Sequence, residues 1–314
     1  MNTTARHEQR GVALITALLA VAIASLLAVE LTTRVHQDVR RTQNLLARDQ
    51  AYAYALSVEQ WALAMLIEDR RERGPVDHPG EPWAREITPP PFEGARMRLR
   101  MEDLQGRFNL NTLVTAQGAD APAEQDRFSR LLMQHDIDPT VTTAAADWID
   151  PRPEIRFPAG AGDDWYSRET PPYRAANRPM ASASELRLVR GIDDPAWRRI
   201  RDAVTALPEA TPINVNTAPP AVLRSLADGL SRSDAESLAE ARPEDGWQRV
   251  EDFLAHPALA GSGLEPAGLD VGSRYFLLRT EVQLGRLTLR TESVLHRPDG
   301  GGGDIILRRQ GFFD

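Results

Sequence analysis

Cysteine is absent from all 314 residues, which excludes disulfides, Cys-ligated zinc and thiol catalysis. Lysine is absent too, so all 37 basic residues are arginine. Positive charge is in the minority: 45 acidic residues bring the formal net charge to -8, which makes the chain a poor nonspecific binder of nucleic acid. The six histidines, at 7, 36, 78, 135, 256 and 296, have no metal-ligand spacing and form no Ser/His/Asp group, so no catalytic constellation can be assembled. The glycines 300–303 lie between two strand-like runs and read as a turn, not a phosphate loop. What remains is globular, with 42% hydrophobic and 26% charged residues, and 23 prolines and 21 glycines predict many loops. The length suits one large or two modest domains.

The most informative segment is the start. Val12 to Val29 is an uncharged run preceded by Arg6 and Arg10 and closed by Glu30. As a helix it spans roughly 27 Å at 1.5 Å per residue, close to the hydrocarbon thickness of a bilayer. With both arginines ahead of it, residues 1–11 stay cytoplasmic and everything after Glu30 lies outside. A secretory signal peptide is the rival reading, and Ala22-Ile23-Ala24 supplies an A-x-A triplet. That triplet sits inside the apolar run, however, and the helical pattern continues through Val35, Val39, Leu46, Ala53, Leu56, Leu63 and Leu66.

The polar leader ending in Arg10-Gly11, directly before the apolar run, resembles the leader of type IV pilins and type II secretion pseudopilins. The resemblance implies cleavage by a prepilin peptidase between Gly11 and Val12, followed by methylation of the new amine. Most of that family carries a glutamate as fifth mature residue, where Thr16 stands here. A carboxylate in the membrane is costly unless paired, and a neutral fifth residue resembles the K-type minor pseudopilin, a subunit free of that pairing.

Leu31 to Arg73 reads as one long helix, with no proline before Pro75. Gly74 to Phe92, with six prolines, is a loop. Arg96 to Glu102 alternates as a half-buried strand, and Asp103 to Asn111 resembles a strand, Gly turn and second strand. Helices are expected at 124–135, 140–149, 182–189, 194–206, 218–227, 233–241 and 250–254. The runs 274–284, 287–296 and 305–312 then read as an antiparallel meander. The expected domains are a leader (1–11), a transmembrane and stalk helix (12–73), the first part of a sheet domain (74–111), an inserted helical domain (112–272) and C-terminal strands (273–314). This is an α/β pilin-like fold, a long N-terminal helix plus antiparallel sheet, with a large inserted α-helical domain. The insertion extends the K-type resemblance over the whole chain.

Within the insertion, residues 183–192 and the segment from Ile213-Asn214-Val215-Asn216-Thr217-Ala218 to Leu254 are similar to helix-hairpin-helix modules. Such modules grip phosphate through backbone N–H groups at a Gly-rich hairpin. Here the hairpins read Gly191-Ile192-Asp193-Asp194 and Ala227-Asp228-Gly229-Leu230, whose carboxylates repel phosphate. A membrane-anchored DNA receptor of a competence or type IV pilus system is the alternative reading, and a packing or docking role the favoured one. Asp147, Asp150, Glu154, Asp163 and Asp164 crowd a Gly- and Pro-rich stretch. They offer the hard oxygen ligands calcium requires, or are turn carboxylates on a solvated loop. The K-type resemblance favours structural calcium, implies assembly with I- and J-type minor pseudopilins, the major pseudopilin and the inner-membrane assembly platform, and places the head in the periplasm at the tip of the pseudopilus.

Overall fold

The computed structural model describes residues 5–311 except Glu86, Thr88, Pro90, Pro91, Ala116 and Pro153, with side chains on the first helix from Ala13 onward. Leader residues 1–4 and Phe312, the expected end of the last strand, lie outside the described residues.

Helix α1 runs Ala5–Arg73. Between Val12 and Arg73 there is no proline or glycine, so nothing interrupts its backbone ladder. It ends where Gly74 takes a φ of +99° and its N–H donates to Arg70 O at 3.0 Å, a left-handed stop that glycine adopts without strain. Arg70, Arg71 and Arg73 in the last turn complement the negative end of the helix dipole. Its N-terminal part is exposed, and it is long and apolar enough to cross a membrane. From Ala51 a buried stripe begins, Ala51, Ala55, Val58, Ala62 and Leu66, the spacing of one helix face.

After the proline loop come β1 (Ala95–Asp103), β2 (Phe108–Asn109), α2 (Pro122–Gln134), α3 (Val141–Ile149) and α4 (Asp163–Tyr166). A 3-10 turn at Ala183–Leu188, α5 (Asp194–Ile200), β3 (Val204–Thr205), β4 (Ile213–Asn214), α6 (Pro220–Ser225), α7 (Arg232–Glu240) and α8 (Val250–Leu254) follow. A further 3-10 turn at Pro257–Leu259 and β5 (Leu269–Asp270) close the helical region, and β6 (Tyr275–Leu284), β7 (Leu287–His296) and β8 (Asp304–Gln310) follow.

The sheet is antiparallel in the order β1-β6-β7-β8. Because β1 pairs directly with β6, the whole helical region is an insertion between two neighbouring strands. Strand alternation puts Leu99, Met101, Phe276, Leu278 and Leu295 against Val58, Leu63 and Leu66 of α1. Glu59, fully buried in that contact, is held by Arg308 and by the Ser293 hydroxyl at 2.6 Å. A second core, from Phe108 and Phe128 to Phe253 and Leu269, runs unbroken through the helical region.

The helix expected at 194–206 is corrected: α5 stops at Ile200 instead of reaching Ala206, and Val204–Thr205 pairs in parallel with Phe108–Asn109. The second strand expected after the Gly106 turn is β2, which pairs with β3 outside the four-stranded sheet.

Candidate functional site

Two short motifs do the same job twice. In Asn109-Leu110-Asn111-Thr112 and Asn214-Val215-Asn216-Thr217, the first asparagine's Oδ1 accepts the second's backbone N–H, at 3.2 and 2.9 Å. The second asparagine is a latch. Asn111 Nδ2 donates to Met180 O and Leu207 O at 2.9 and 2.8 Å, while its Oδ1 accepts Met180 N–H at 2.8 Å. Asn216 treats Trp247 and Val271 identically, donating to their carbonyls at 3.1 and 3.2 Å and accepting Trp247 N–H at 2.7 Å. Each motif opens on a short strand closed by a parallel partner, β2 with β3 and β4 with β5. The insertion is thus one unit used twice: strand, helix pair, latched loop, second helical pair, parallel strand. In the first unit residues 150–179 separate the first helix pair from the latch, against residues 241–246 in the second.

The second motif also fastens the insertion to the sheet and stalk. Asp103, at the end of β1 and buried, accepts from Asn214 Nδ2 (2.9 Å), Thr217 Oγ1 (2.5 Å), Ser273 Oγ (2.6 Å) and Gln105 N–H (2.8 Å). Burial pushes its pKa up against these hydrogen bonds. Asn214 Nδ2 also reaches Asp77 O and Ser273 Oγ, each at 3.0 Å. The Asp77 carboxylate accepts from Arg297 Nη2 at 2.6 and 2.7 Å and from Ser273 N–H at 2.7 Å, and Arg297 Nη1 donates to Leu66 O of α1 at 2.9 Å. Burial raises Asp77 to about 6 despite that guanidinium. Gly106 lies against this clasp so closely that a Cβ there would stand 2.8 Å from the Thr217 carbonyl.

Three carboxylates that the sequence reading did not single out converge beside it. Oxygens of Asp69, Asp77 and Glu81 lie within 4.8 Å of one another, all buried. Burial lifts Glu81 to about 8, against hydrogen bonds from His78 N–H (3.0 Å) and Trp83 Nε1 (2.6 Å). One sits on the stalk and two in the proline loop, so no periodicity links them.

The acidic stretch expected to hold calcium folds around Arg156. Its Nη1 donates to Asp147 Oδ1 (2.8 Å), its Nη2 to Asp150 Oδ2 (2.6 Å) and its Nε to Asp120 Oδ1 (2.6 Å). Asp150, though buried, is drawn down to about 2 by hydrogen bonds from Arg152 and Arg156, whereas burial pushes Asp147 up. Asp147, Glu154, Asp163 and Asp164 line one cavity of about 220 Å³ together with Arg152 and Asn177, and Asp150, which does not line it, binds Arg152. Glycine is required at 160, where a Cβ would fall 2.1 Å from Asp147 Oδ2. The donor set suits a hard cation, and positive charge is already supplied to Asp147 and Asp150 by Arg156. Asp120 was missed in the sequence because it is remote from the stretch, and Arg156 because only the carboxylates of the stretch were read as ligands.

The hairpins offer phosphate little. At the start of α5, Asp193 Oδ1 accepts Ala196 N–H at 2.7 Å, and at the start of α7 Ser231 and Asp234 form a reciprocal capping box. Carboxylates thus occupy the place of an anion in both units. The helix beginning near Ala218 is approached as Asn216 and Thr217 make the latch contacts above, with α6 itself starting at Pro220 and receiving no side-chain cap.

Residues 106–209 and 213–272 each match the family described as type II secretion system (T2SS), protein K, and these two segments coincide with the two latched units. Similarity extends over the full chain to the type II secretion system protein K of Pseudomonas aeruginosa, 39% identical over 98% of this chain and 94% of that protein. The chain belongs to the protein K family of type II secretion systems. A second protein K, from Aeromonas hydrophila, is 34% identical over 97% of both chains. A chain of the GspK-GspI-GspJ complex from the type 2 secretion system of enterotoxigenic Escherichia coli superposes with a TM-score of 0.77 at 28% identity, covering 87% of this chain and 100% of that one. As a protein K, the chain is a minor pseudopilin, and the apolar start of α1 fits a single-pass membrane anchor. Gly11 and Val12 lie within α1. The Thr16 hydroxyl donates to Ala13 O at 3.0 Å, which satisfies it within the helix without a charge.

Proposed function

We propose that this protein K joins I- and J-type minor pseudopilins in a complex at the tip of the pseudopilus, primes its assembly and limits its length. The observation that carries this reading is similarity, over 87% of this chain, to a chain of the GspK-GspI-GspJ complex. Cleavage after Gly11 frees and exposes Val12 for methylation, α1 remains in the inner membrane, and the head stands in the periplasm. Neutral Thr16 removes the need for a neighbouring amine beneath it, and the bulk of the two inserted units obstructs any subunit above. The role is one of association, with no enzymatic step, and it includes contacts with the major pseudopilin and the assembly platform. Co-purification from detergent of the full chain with I- and J-type partners tests it: a ternary complex is expected, and a chain that always elutes alone overturns the reading.

Calcium belongs to the same proposal. Asp147, Glu154, Asp163 and Asp164 would hold it at the loop cavity, with Asp150 fixing the base of the loop through Arg152 and Arg156. Calorimetry of the full chain should show calcium uptake that Asp147→Ala and Asp163→Ala each weaken at least tenfold. Unchanged uptake in both variants removes the site.

A further inference from the structure

The sheet face turned away from α1 carries most of its charge in one sign. By strand register, Arg96, Arg98 and Arg100 of β1 share that face with Arg279 of β6 and Arg290 of β7, and Arg85 reaches it around the edge of β1. With Arg309 of β8, which stands opposite Glu292, seven arginines there meet three glutamates, Glu102, Glu281 and Glu292, in a chain whose formal net charge is -8. The glutamates are already committed: Glu102 and Glu292 bind Arg279 at 2.5 and 2.8 Å, and Glu281 binds Arg290 at 2.7 Å. Arg96 and Arg98 are exposed and make no ion pair or hydrogen bond through their guanidinium groups among the described residues. The face is concave, with a volume of about 600 Å³ whose charged lining is Arg85, Arg98, Arg100, Arg279 and Arg290 together with the paired Glu281 and Glu292.

We propose that this face docks an extended acidic segment of a protein partner. The row Arg96, Arg98, Arg100 places a guanidinium every second residue of a strand, roughly 6.6 Å apart. That repeat matches carboxylates on alternate residues of an extended chain, each able to take a paired guanidinium contact. Lipid phosphate is the other anion in reach of a membrane protein. It is excluded by distance, because α1 runs from Glu30 to Ala51, roughly 30 Å at 1.5 Å per residue, before it meets the sheet. Screening removes attraction beyond about 8 Å. The proposal rests on the pseudopilin reading only in placing the head above the membrane.

The test uses the full chain in detergent and a fluorescein-labelled peptide of five Glu-Val repeats, with a Gln-Val peptide as its neutral match. Anisotropy should show binding of the acidic peptide at least tenfold tighter than the neutral one, weakening steeply with salt. Reversal of charge in Arg96→Glu/Arg98→Glu should cost a further tenfold or more, while Arg168→Glu, an exposed arginine on the insertion, leaves affinity unchanged. Equal binding of the two peptides, an unaffected double variant, or binding of phosphatidylglycerol vesicles in place of the peptide overturns the proposal. Partner co-purification is measured on the same wild-type sample. Peptide binding without I- and J-type assembly contradicts the assembly reading alone, and assembly without peptide binding contradicts this proposal alone.

Discussion

Asn214 is the side chain on which most of the molecule converges, since its amide meets Asp77 of the proline loop, Asp103 of the sheet and Ser273 at the end of the insertion. Asn214→Ala should cost about 2–3 kcal/mol, because it leaves buried acceptors without a donor, and urea unfolding of the full chain in detergent would measure it. Gly106→Ala presses a methyl onto the Thr217 backbone and should cost about 1–3 kcal/mol in the same assay. Glu81 sets a pH dependence. Its pKa is raised to about 8 from an ordinary 4.5, so the folded state holds a proton that the unfolded state releases. Its contribution to stability is complete below about pH 4.5, declines between there and about 8, and is gone above. Thermal midpoints of wild type should therefore fall relative to Glu81→Gln as pH rises from 5 to 8, and the two should run parallel above that. At this scale the sequence showed which asparagines and aspartates were unusual but not their partners. Asp103 and Asn214 are separated by the whole of the first unit, and no local spacing records such a contact.

Among the elements, the stalk and the meander were the most legible. The stalk lacks proline and glycine from Val12 to Arg73, and β6, β7 and the region of β8 alternate cleanly around Gly285 and the run 300–303. Of the four two-residue strands only β2, within the strand-turn-strand pattern of 103–111, was anticipated, and β3, β4 and β5 were invisible because two residues carry no period. Strand β3 was absorbed into a helix reading of 194–206 because its β-branched Val204 and Thr205 are drawn out only by pairing with Phe108 and Asn109. The repeated unit was half legible: the Asn-x-Asn-Thr string occurs twice, yet the latch it makes depends on Met180 and Trp247. If the two latches are equivalent, Asn111→Ala and Asn216→Ala should each loosen mainly their own unit. Hydrogen exchange should then rise in residues 108–205 for the first and 213–270 for the second. Between stalk and sheet, Arg308→Ala leaves buried Glu59 with Ser293 as its one side-chain partner among the described residues. It should cost about 2 kcal/mol, less than a fully buried pair because Arg308 is itself one-third exposed.

For the whole molecule, a pilin-like stalk and sheet carry a duplicated helical unit whose first copy alone bears the acidic loop. The charge is divided among these parts, with arginines on the outer sheet face and carboxylates on the loop and on the caps of α5 and α7. That division leaves Arg96 and Arg98, exposed and unpaired among the described residues, on the sheet and puts carboxylates at the helix-hairpin-helix-like segments. The most direct test of this account is the mass, by light scattering in detergent, of the full chain mixed with I- and J-type minor pseudopilins in the presence of calcium. The account predicts a single species containing all three proteins. A chain that stays separate from both partners would contradict it.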